Sequence, residues 1–587
     1  MTENLIPWIT LTVFTPLLGA IVLALVPSEH KQLHRHMTVV FMGLTFVLSL
    51  PLVLLFDDAH VGYQLTAPVE NVEWIAALGA RYHVGIDGIS LWLVMLTTFL
   101  GPIVALSGYS AIEKHVKEYH VALLVLQTAM LGALVSLDLL LFYIFWELML
   151  VPMYFLIGVW GGAQRIYAAI KLFIYTMFGS VLMLVGIVYL YMKGGMVGFD
   201  ITHLIEVGRS LSITEQRWLF VGFGLAFLIK VPLFPFHTWL PDAHVQAPTA
   251  GSVILASVLL KMGTYGLIRY AMPMLPDGVF WAAPYIAVLS VIGVIYGAVV
   301  AFVQKDVKKL VAYSSVSHLG VVTLGLFALT SASVTGALYQ SLAHGITTGG
   351  LFLAIGIIYE RRHTRDMDAF GGIARQVPVF AVLFLIVTLG SAGVPGLVGF
   401  IGEYLILLGS AQSYAIAFPA EETRMFGLAF GAVGWAFFFT AIAATGVILG
   451  ALYLLHMYQK VMFGPVKHDE NRSLLDVNGR ELTYMFPVVA MCFVMGVFPQ
   501  FFIQKMDTSV QHFIAQVEQH AVEYAPMVEE NRAANRERRR FRGEGDAAFS
   551  WPMIDAARSG EFSFDNGRDD DGQADDADPL PDDDDTP

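Results

Sequence analysis

Six ionisable side chains stand deep inside apolar stretches. They are Glu147 in Phe145-Trp-Glu-Leu-Met149, Lys230 in Leu228-Ile-Lys-Val-Pro232, Lys261 in Val258-Leu-Leu-Lys-Met-Gly263, His318 in Ser315-Val-Ser-His-Leu319, His344 in Ser341-Leu-Ala-His-Gly345 and Glu403 in Gly402-Glu-Tyr404. The chemistry these types share is proton exchange. Histidine titrates near neutrality and passes protons through either ring nitrogen. Burial disfavours a lysine ammonium and a nearby carboxylate favours it, so moving the carboxylate or its proton can load and unload the lysine near neutral pH. Glu147 and Lys230 carry opposite charges at similar depth, which invites pairing and makes a movable pair a proton switch. The set Glu, Lys, Lys, His, His, Glu then reads as a proton wire. Blander readings stand beside these: a purely structural Glu147–Lys230 pair, and core histidines satisfied among the small and hydroxyl residues that favour helix packing. Asp138, His237, Asp242 and His244 lie near the ends of apolar stretches, where interface solvation or capping is the first reading, and they are candidates for an uptake route only.

The elements that must hold these groups are membrane helices. Of 587 residues 56% are hydrophobic and 14% charged, against about 25% charged in soluble domains. Apolar runs of the ~20 residues needed to cross a bilayer recur from Ile6 to Phe502, fourteen in all. An ionised side chain at the centre of such a span costs ~2.5–3.5 kcal/mol even on the lenient insertion scale, so each must be paired, hydrated or useful. Lys261 lies about twelve residues, or ~18 Å, from either end of its span, too far for its stem to snorkel. The sequence therefore predicts an all-α polytopic membrane protein. Its single cysteine, Cys492, cannot alone supply a disulfide framework, a zinc site or an iron–sulfur cluster. Nucleotide use finds no support either, because no glycine-rich phosphate motif stands between a strand and a helix.

Spans seven and twelve are interrupted alike, at Leu228-Ile-Lys-Val-Pro-Leu-Phe-Pro-Phe-His237 and Ser391-Ala-Gly-Val-Pro-Gly-Leu-Val-Gly-Phe400. Proline removes a backbone donor and glycine weakens a helix, so both spans should break inside the membrane, where only a protein-lined or wet interior satisfies the freed carbonyls. Matched broken helices point to a transporter built from inverted repeats, spans four to eight against nine to thirteen. Ordinary proline kinks are the alternative. The expected organisation is a three-helix segment over 1–120, a first repeat over 121–272, a second over 273–458, a last span in 459–502 and an acidic, mostly disordered tail over 503–587. That tail holds 21 acidic and nine basic residues, including Pro581-Asp-Asp-Asp-Asp585, and leaves the membrane part nearly neutral. After a short helical continuation through Glu523, it reads as a solvated tail or a docking arm. The acidic start, Met1-Thr-Glu-Asn4, is unlike a secretory signal, so the first run reads as the first membrane helix. Loops after odd-numbered spans hold about 17 Lys and Arg against about 6 in the others, which places the odd loops in the cytoplasm and both termini outside.

The residues now resemble a known family, the antiporter-like subunits of proton-pumping NADH-quinone oxidoreductase, respiratory complex I. The resemblance covers about the first 500 residues. It rests on Phe145-Trp-Glu-Leu-Met-Leu-Val-Pro152, Lys230-Val-Pro-Leu-Phe-Pro-Phe-His-Thr-Trp-Leu-Pro-Asp-Ala-His244, Ala247-Pro-Thr-Ala-Gly-Ser252, Leu260-Lys-Met-Gly263 and Lys308-Lys-Leu-Val-Ala-Tyr-Ser-Ser-Val-Ser-His318. Within the family the chain is similar to the branch that includes mitochondrial subunit four. Glu403 is the discriminator, since two sister branches usually carry lysine on the broken twelfth helix. The acidic tail departs from the family pattern.

The resemblance implies a fourteen-helix fold with two inverted five-helix repeats. It implies a half-channel ending at Lys230 and regulated by Glu147, a bridge through Lys261, a link through His318 and His344, and exit through Glu403. It implies no cofactor in this chain, with NADH, FMN, iron–sulfur clusters and quinone held by partner subunits. The expected partners are other membrane-arm subunits, including sister antiporter-like chains, and the lipid bilayer, with no nucleic acid. The implied setting is a bacterial inner membrane. Two other readings remain: a subunit of a multisubunit cation/proton antiporter or membrane-bound hydrogenase, and a mere structural connector of the membrane arm.

Overall fold

The computed structural model describes residues 6–418 and 432–522, with separate positions within 424–429 and 524–533. The acidic run at 581–585 and most of the predicted tail lie outside the described residues. In chain order the principal helices are α1 (Trp8–Leu25), α2 (Lys31–Leu54), α3 (Leu91–Ser107), α4 (Val116–Val135), α5 (Leu139–Trp160), α6 (Arg165–Lys193), α7 (Ile213–Lys230), α8 (Trp239–Gln246) and α9 (Thr249–Met274). They continue as α10 (Pro276–Phe302), α11 (Val307–Phe327), α12 (Ser331–Arg362), α13 (Pro378–Ser391), α14 (Val398–Ser410), α15 (Ala432–Met462), α16 (Gly479–Val497) and α17 (Pro499–Gln519). Eleven described helices are long and apolar enough to cross a membrane, and α3, α13 and α14 are shorter apolar helices. Every expected span coincides with a helix or a broken helix. A small antiparallel hairpin, β1 (Asn71–Ile75) with β2 (Ala80–His83), lies between α2 and α3.

Helices on the outside of this bundle show large apolar side chains, as Ile170, Ile174, Phe178, Val181 and Val185 do along α6. Such a continuous apolar stripe suits lipid rather than water. The inner helices α9, α11 and α12 are buried almost throughout. Glycines let them close up: a methyl group on Gly263 of α9 would stand 2.5 Å from the Phe227 carbonyl of α7, and one on Gly402 of α14 would stand 2.8 Å from Cα of Gln340 on α12. These two contacts set the positions of Lys261 and Glu403, which ride on the same turns.

Both predicted breaks occur. Between α7 and α8, residues 231–238 leave the helix, and the carbonyl of Ile229 accepts the indole N–H of Trp239 at 3.0 Å. Between α13 and α14 the chain turns through Gly393 (φ +73°) and Gly396 (φ +88°), backbone that a side chain would strain. A further device occurs once in each half. Asp138 accepts the Leu140 and Leu141 amides at the start of α5 and bridges to Asp200, while Asp306 accepts the Lys308 and Lys309 amides at the start of α11 and bridges to Asp366. The capping reading of Asp138 thus matches its geometry.

One boundary moves. The composition shift places the start of the acidic tail at Ile503, but α17 runs from Pro499 to Gln519 and buries Phe502, Ile503, Met506, Val510, Phe513 and Val517. The helix itself agrees with the expected short helical continuation, and its burial is what the polar and charged residues on its opposite face conceal from a search for continuous apolar runs. The compact unit extends to Val528.

Candidate proton-relay site

Lys261 lies 1% exposed on α9, between two π-helical segments, Leu255–Leu259 and Leu267–Ala271. Widening the helix in this way frees carbonyls from the regular ladder. The Lys261 ammonium donates to one, Ala256 O at 2.5 Å, and its second contact is Nδ1 of His344 on α12 at 2.6 Å. That pair shares one proton: either the ammonium donates to a neutral imidazole, or the imidazole donates to a neutral amine. The His344 and His318 rings follow with centroids 5.9 Å apart in edge-to-face orientation. His318 Nδ1 then meets Glu403 Oε1 at 3.0 Å, and its Nε2 meets the Tyr453 hydroxyl at 3.1 Å. Gln340 donates to the same Glu403 oxygen at 3.1 Å. All four ionisable members of this line, together with Tyr453, are buried. It joins α9, α12, α11 and α14 without leaving the protein.

The first half is arranged differently from expectation. Among the described residues Glu147 forms no direct ion pair with Lys230. The Lys230 ammonium instead lies 4.6 Å from the centroid of the Trp146 ring, a cation–π contact. Adjacent residues on a helix point in different directions, so α5 can face Lys230 with Trp146 or with Glu147 but not both. Glu147 Oε1 is buried without a partner. Two residues on, α5 has an irregular turn at Met149 and then Pro152, which has no N–H to donate to the Leu148 carbonyl.

The residues set aside as interfacial divide. Asp242 pairs with Lys171 at 2.6 Å. His237 is buried against Phe234 and Tyr296. His244 has no exposed surface, stacks on Phe352 with centroids 4.7 Å apart, and leaves both ring nitrogens without partners. The solvated reading of these two histidines is therefore wrong. The break after Lys230 ends the membrane helix early and carries α8 back into the protein. His244 lies within range of the charges of both Lys261 and Lys308. By sequence Lys308 counts as a loop charge, whereas its ammonium is buried and donates to Ala247 O at 2.6 Å. Sequence reasoning also passes over Tyr453, Gln340 and the buried ion pair of Asp87 with Arg269. Nothing in their local sequence marks the first two, but an arginine in the last turns of an apolar span is a signal open to reading.

Comparison with known proteins agrees with this architecture. The family model described as "NADH:quinone oxidoreductase/Mrp antiporter, TM" matches residues 136–426, the stretch that carries all six predicted relay residues. NADH-quinone oxidoreductase subunit M of Rickettsia bellii (strain RML369-C) is 41% identical over 514 residues, 87% of this chain and 99% of that protein. Among solved structures, a chain of respiratory complex I from Thermus thermophilus with bound NADH superposes with a TM-score of 0.75 at 31% identity, covering 87% of this chain and 99% of that one. A chain of the Mrp complex from Dietzia sp. DQ12-45-1b shares the fold at TM-score 0.72 and 19% identity, covering 88% of this chain and 100% of that one. The fold and the buried polar line thus define a membrane protein of the antiporter-like class. The chain belongs to the antiporter-like, subunit M family of NADH-quinone oxidoreductase.

Proposed function

We propose that this chain is a proton-translocating membrane-arm subunit of NADH-quinone oxidoreductase, moving H+ through its buried Glu, Lys and His relay under the drive of redox chemistry in partner subunits. The carrying observation is the line Lys261–His344–His318–Glu403, in which proton-exchanging groups follow one another through the protein core. A merely structural set of charges needs each ion paired in place. Here Lys261 has no carboxylate partner within hydrogen-bond reach, and its contact is a base that can take its proton.

Glu147 biases the charge on Lys230 from a distance, without a bond that would have to break. Lys308 and His244 lead from one face of the bundle toward Lys261. Lys261 passes its proton to His344, the step between the two rings needs a bridging water or a ring rotation that frees a His318 nitrogen, and His318 delivers to Glu403. Tyr453 holds the far nitrogen of His318 and so selects its tautomer. Partner subunits supply NADH, FMN, iron–sulfur clusters and quinone, this chain binds none of them, and it sits in a bacterial inner membrane with both termini outward. Membrane-arm sister chains and lipid cover its apolar faces.

A multisubunit cation/proton antiporter shares the fold, and the higher identity to subunit M relatives favours the oxidoreductase. The discriminating experiment is NADH-driven proton uptake by the assembled complex in proteoliposomes. The relay reading expects uptake to fail with His344→Leu while the complex assembles, and full pumping in that variant would favour the structural connector.

A further inference from the structure

Tyr265 and Arg269 continue the face of α9 that carries Lys261, at successive intervals of four residues, roughly two helical turns in all. Arg269 is 5% exposed and forms a two-pronged ion pair with Asp87 at the head of α3: Nη1 to Oδ2 at 2.8 Å and Nη2 to Oδ1 at 2.5 Å. Its Nε donates to the Tyr265 hydroxyl at 3.2 Å. That hydroxyl spends its own proton on Leu134 O, at 2.8 Å. The guanidinium carbon lies 5.1 Å and 5.3 Å from the Tyr63 and Tyr265 ring centroids. The Asp87 segment is fastened in turn by α17, since Gly88 N donates to Ser509 Oγ at 2.9 Å and Trp92 Nε1 to Phe502 O at 3.0 Å.

While Asp87 is held in the two-pronged ion pair, the cluster offers no group that passes a proton on. Arginine keeps its proton under all protein conditions, and the tyrosine between it and Lys261 is committed as donor and acceptor. A fixed guanidinium is also an electrostatic barrier to a moving proton. Asp87 follows directly on the loop that carries β1 and β2, and Arg269 sits in the last turns of α9, so the cluster lies between Lys261 and one end of the bundle. We propose that Arg269, oriented by Asp87 and Tyr265, is a proton plug that stops Lys261 from discharging along α9 and so commits its proton to His344. This rests on the relay reading of Lys261, yet it fails separately, because it is read from passive leak rather than from pumping.

The test uses assembled complex in proteoliposomes without NADH, measuring proton influx under an imposed potassium diffusion potential with valinomycin. R269Q removes the cation and leaves the Asp87 carboxylate free to carry protons, so conductance should rise about threefold or more. D87N keeps the cation and one oxygen acceptor for it, and should leak clearly less than R269Q. The leak of R269Q should vanish when combined with K261M. R269K, which preserves a cation against Asp87 but can release its proton, should leak as well and serves if R269Q does not assemble. The plug is overturned by wild-type conductance in the arginine variants, by equal leak in D87N and R269Q, by a leak that survives K261M, or by failure of both arginine variants to assemble, which would assign the pair to folding.

Discussion

Glu403 and His318 meet at 3.0 Å, oxygen to Nδ1, across the contact of α14 with α11. A carboxylate placed there accepts the proton that the imidazole releases. Glu403→Ala should assemble and lower NADH-driven pumping and coupled turnover together, by about tenfold for loss of a positioned proton acceptor. Glu403→Asp keeps the acidic group on a shorter stem and should retain part of both. The comparison of proton uptake with quinone reduction in the two variants checks this, and wild-type pumping in both would leave Glu403 as a structural charge.

Tyr453 holds the other nitrogen of His318 at 3.1 Å. Tyr453→Phe keeps the ring and its packing but frees the imidazole to take the wrong tautomer. Pumping should fall by about two- to fivefold, less than for Glu403→Ala, since an orienting hydrogen bond is lost rather than a carrier. Normal complex abundance on native gels, together with reduced proton uptake, is the expected pair of results.

In the proposed mechanism Glu147 biases Lys230 without a direct bond, since the Lys230 ammonium lies over the Trp146 ring. Glu147→Gln removes the charge and keeps the shape, so the complex should assemble and lose most coupled transport. Glu147→Asp, moved back along the stem, should recover a measurable fraction of uptake because a through-space charge tolerates displacement better than a hydrogen bond does. Full transport in the glutamine variant would remove Glu147 from the mechanism.

The members of the buried polar line were legible in the sequence because ionisable residues are costly in an apolar span, so Lys261, His318, His344 and Glu403 stood out from their neighbours. Their order of contact was not legible. Which side chain meets which depends on where α9, α12 and α14 cross, and those crossings are set by glycines such as Gly263 and Gly402 in separate helices. Glu147 illustrates the limit most sharply. Its depth was readable, but whether α5 turns Trp146 or Glu147 toward Lys230 is a matter of helix rotation. His244 was misjudged for a related reason, since a broken helix returns its continuation to the interior. The short helical continuation expected after Phe502 is present as α17, but that its apolar face packs into the bundle was not legible, because its apolar residues lie on one face only and form no continuous run.

That helix gives a prediction about truncation. Removing residues after Glu529 lies beyond the compact unit and should leave assembly and turnover near wild type. Ending the chain at Phe498 removes α17, with its buried residues and its bonds to Gly88 and Trp92, and should abolish assembly. Native-gel abundance of the complex for the two truncations separates them.

The proposed relay depends on a proton that moves between Lys261 and His344, 2.6 Å apart. The most direct measurement is the proton-to-electron ratio of assembled complex carrying Lys261→Arg, which keeps a buried cation but cannot give up its proton. The relay predicts that this variant assembles and that its ratio falls well below the wild type. An unchanged ratio would contradict it, because a charge at this position would then suffice without transfer.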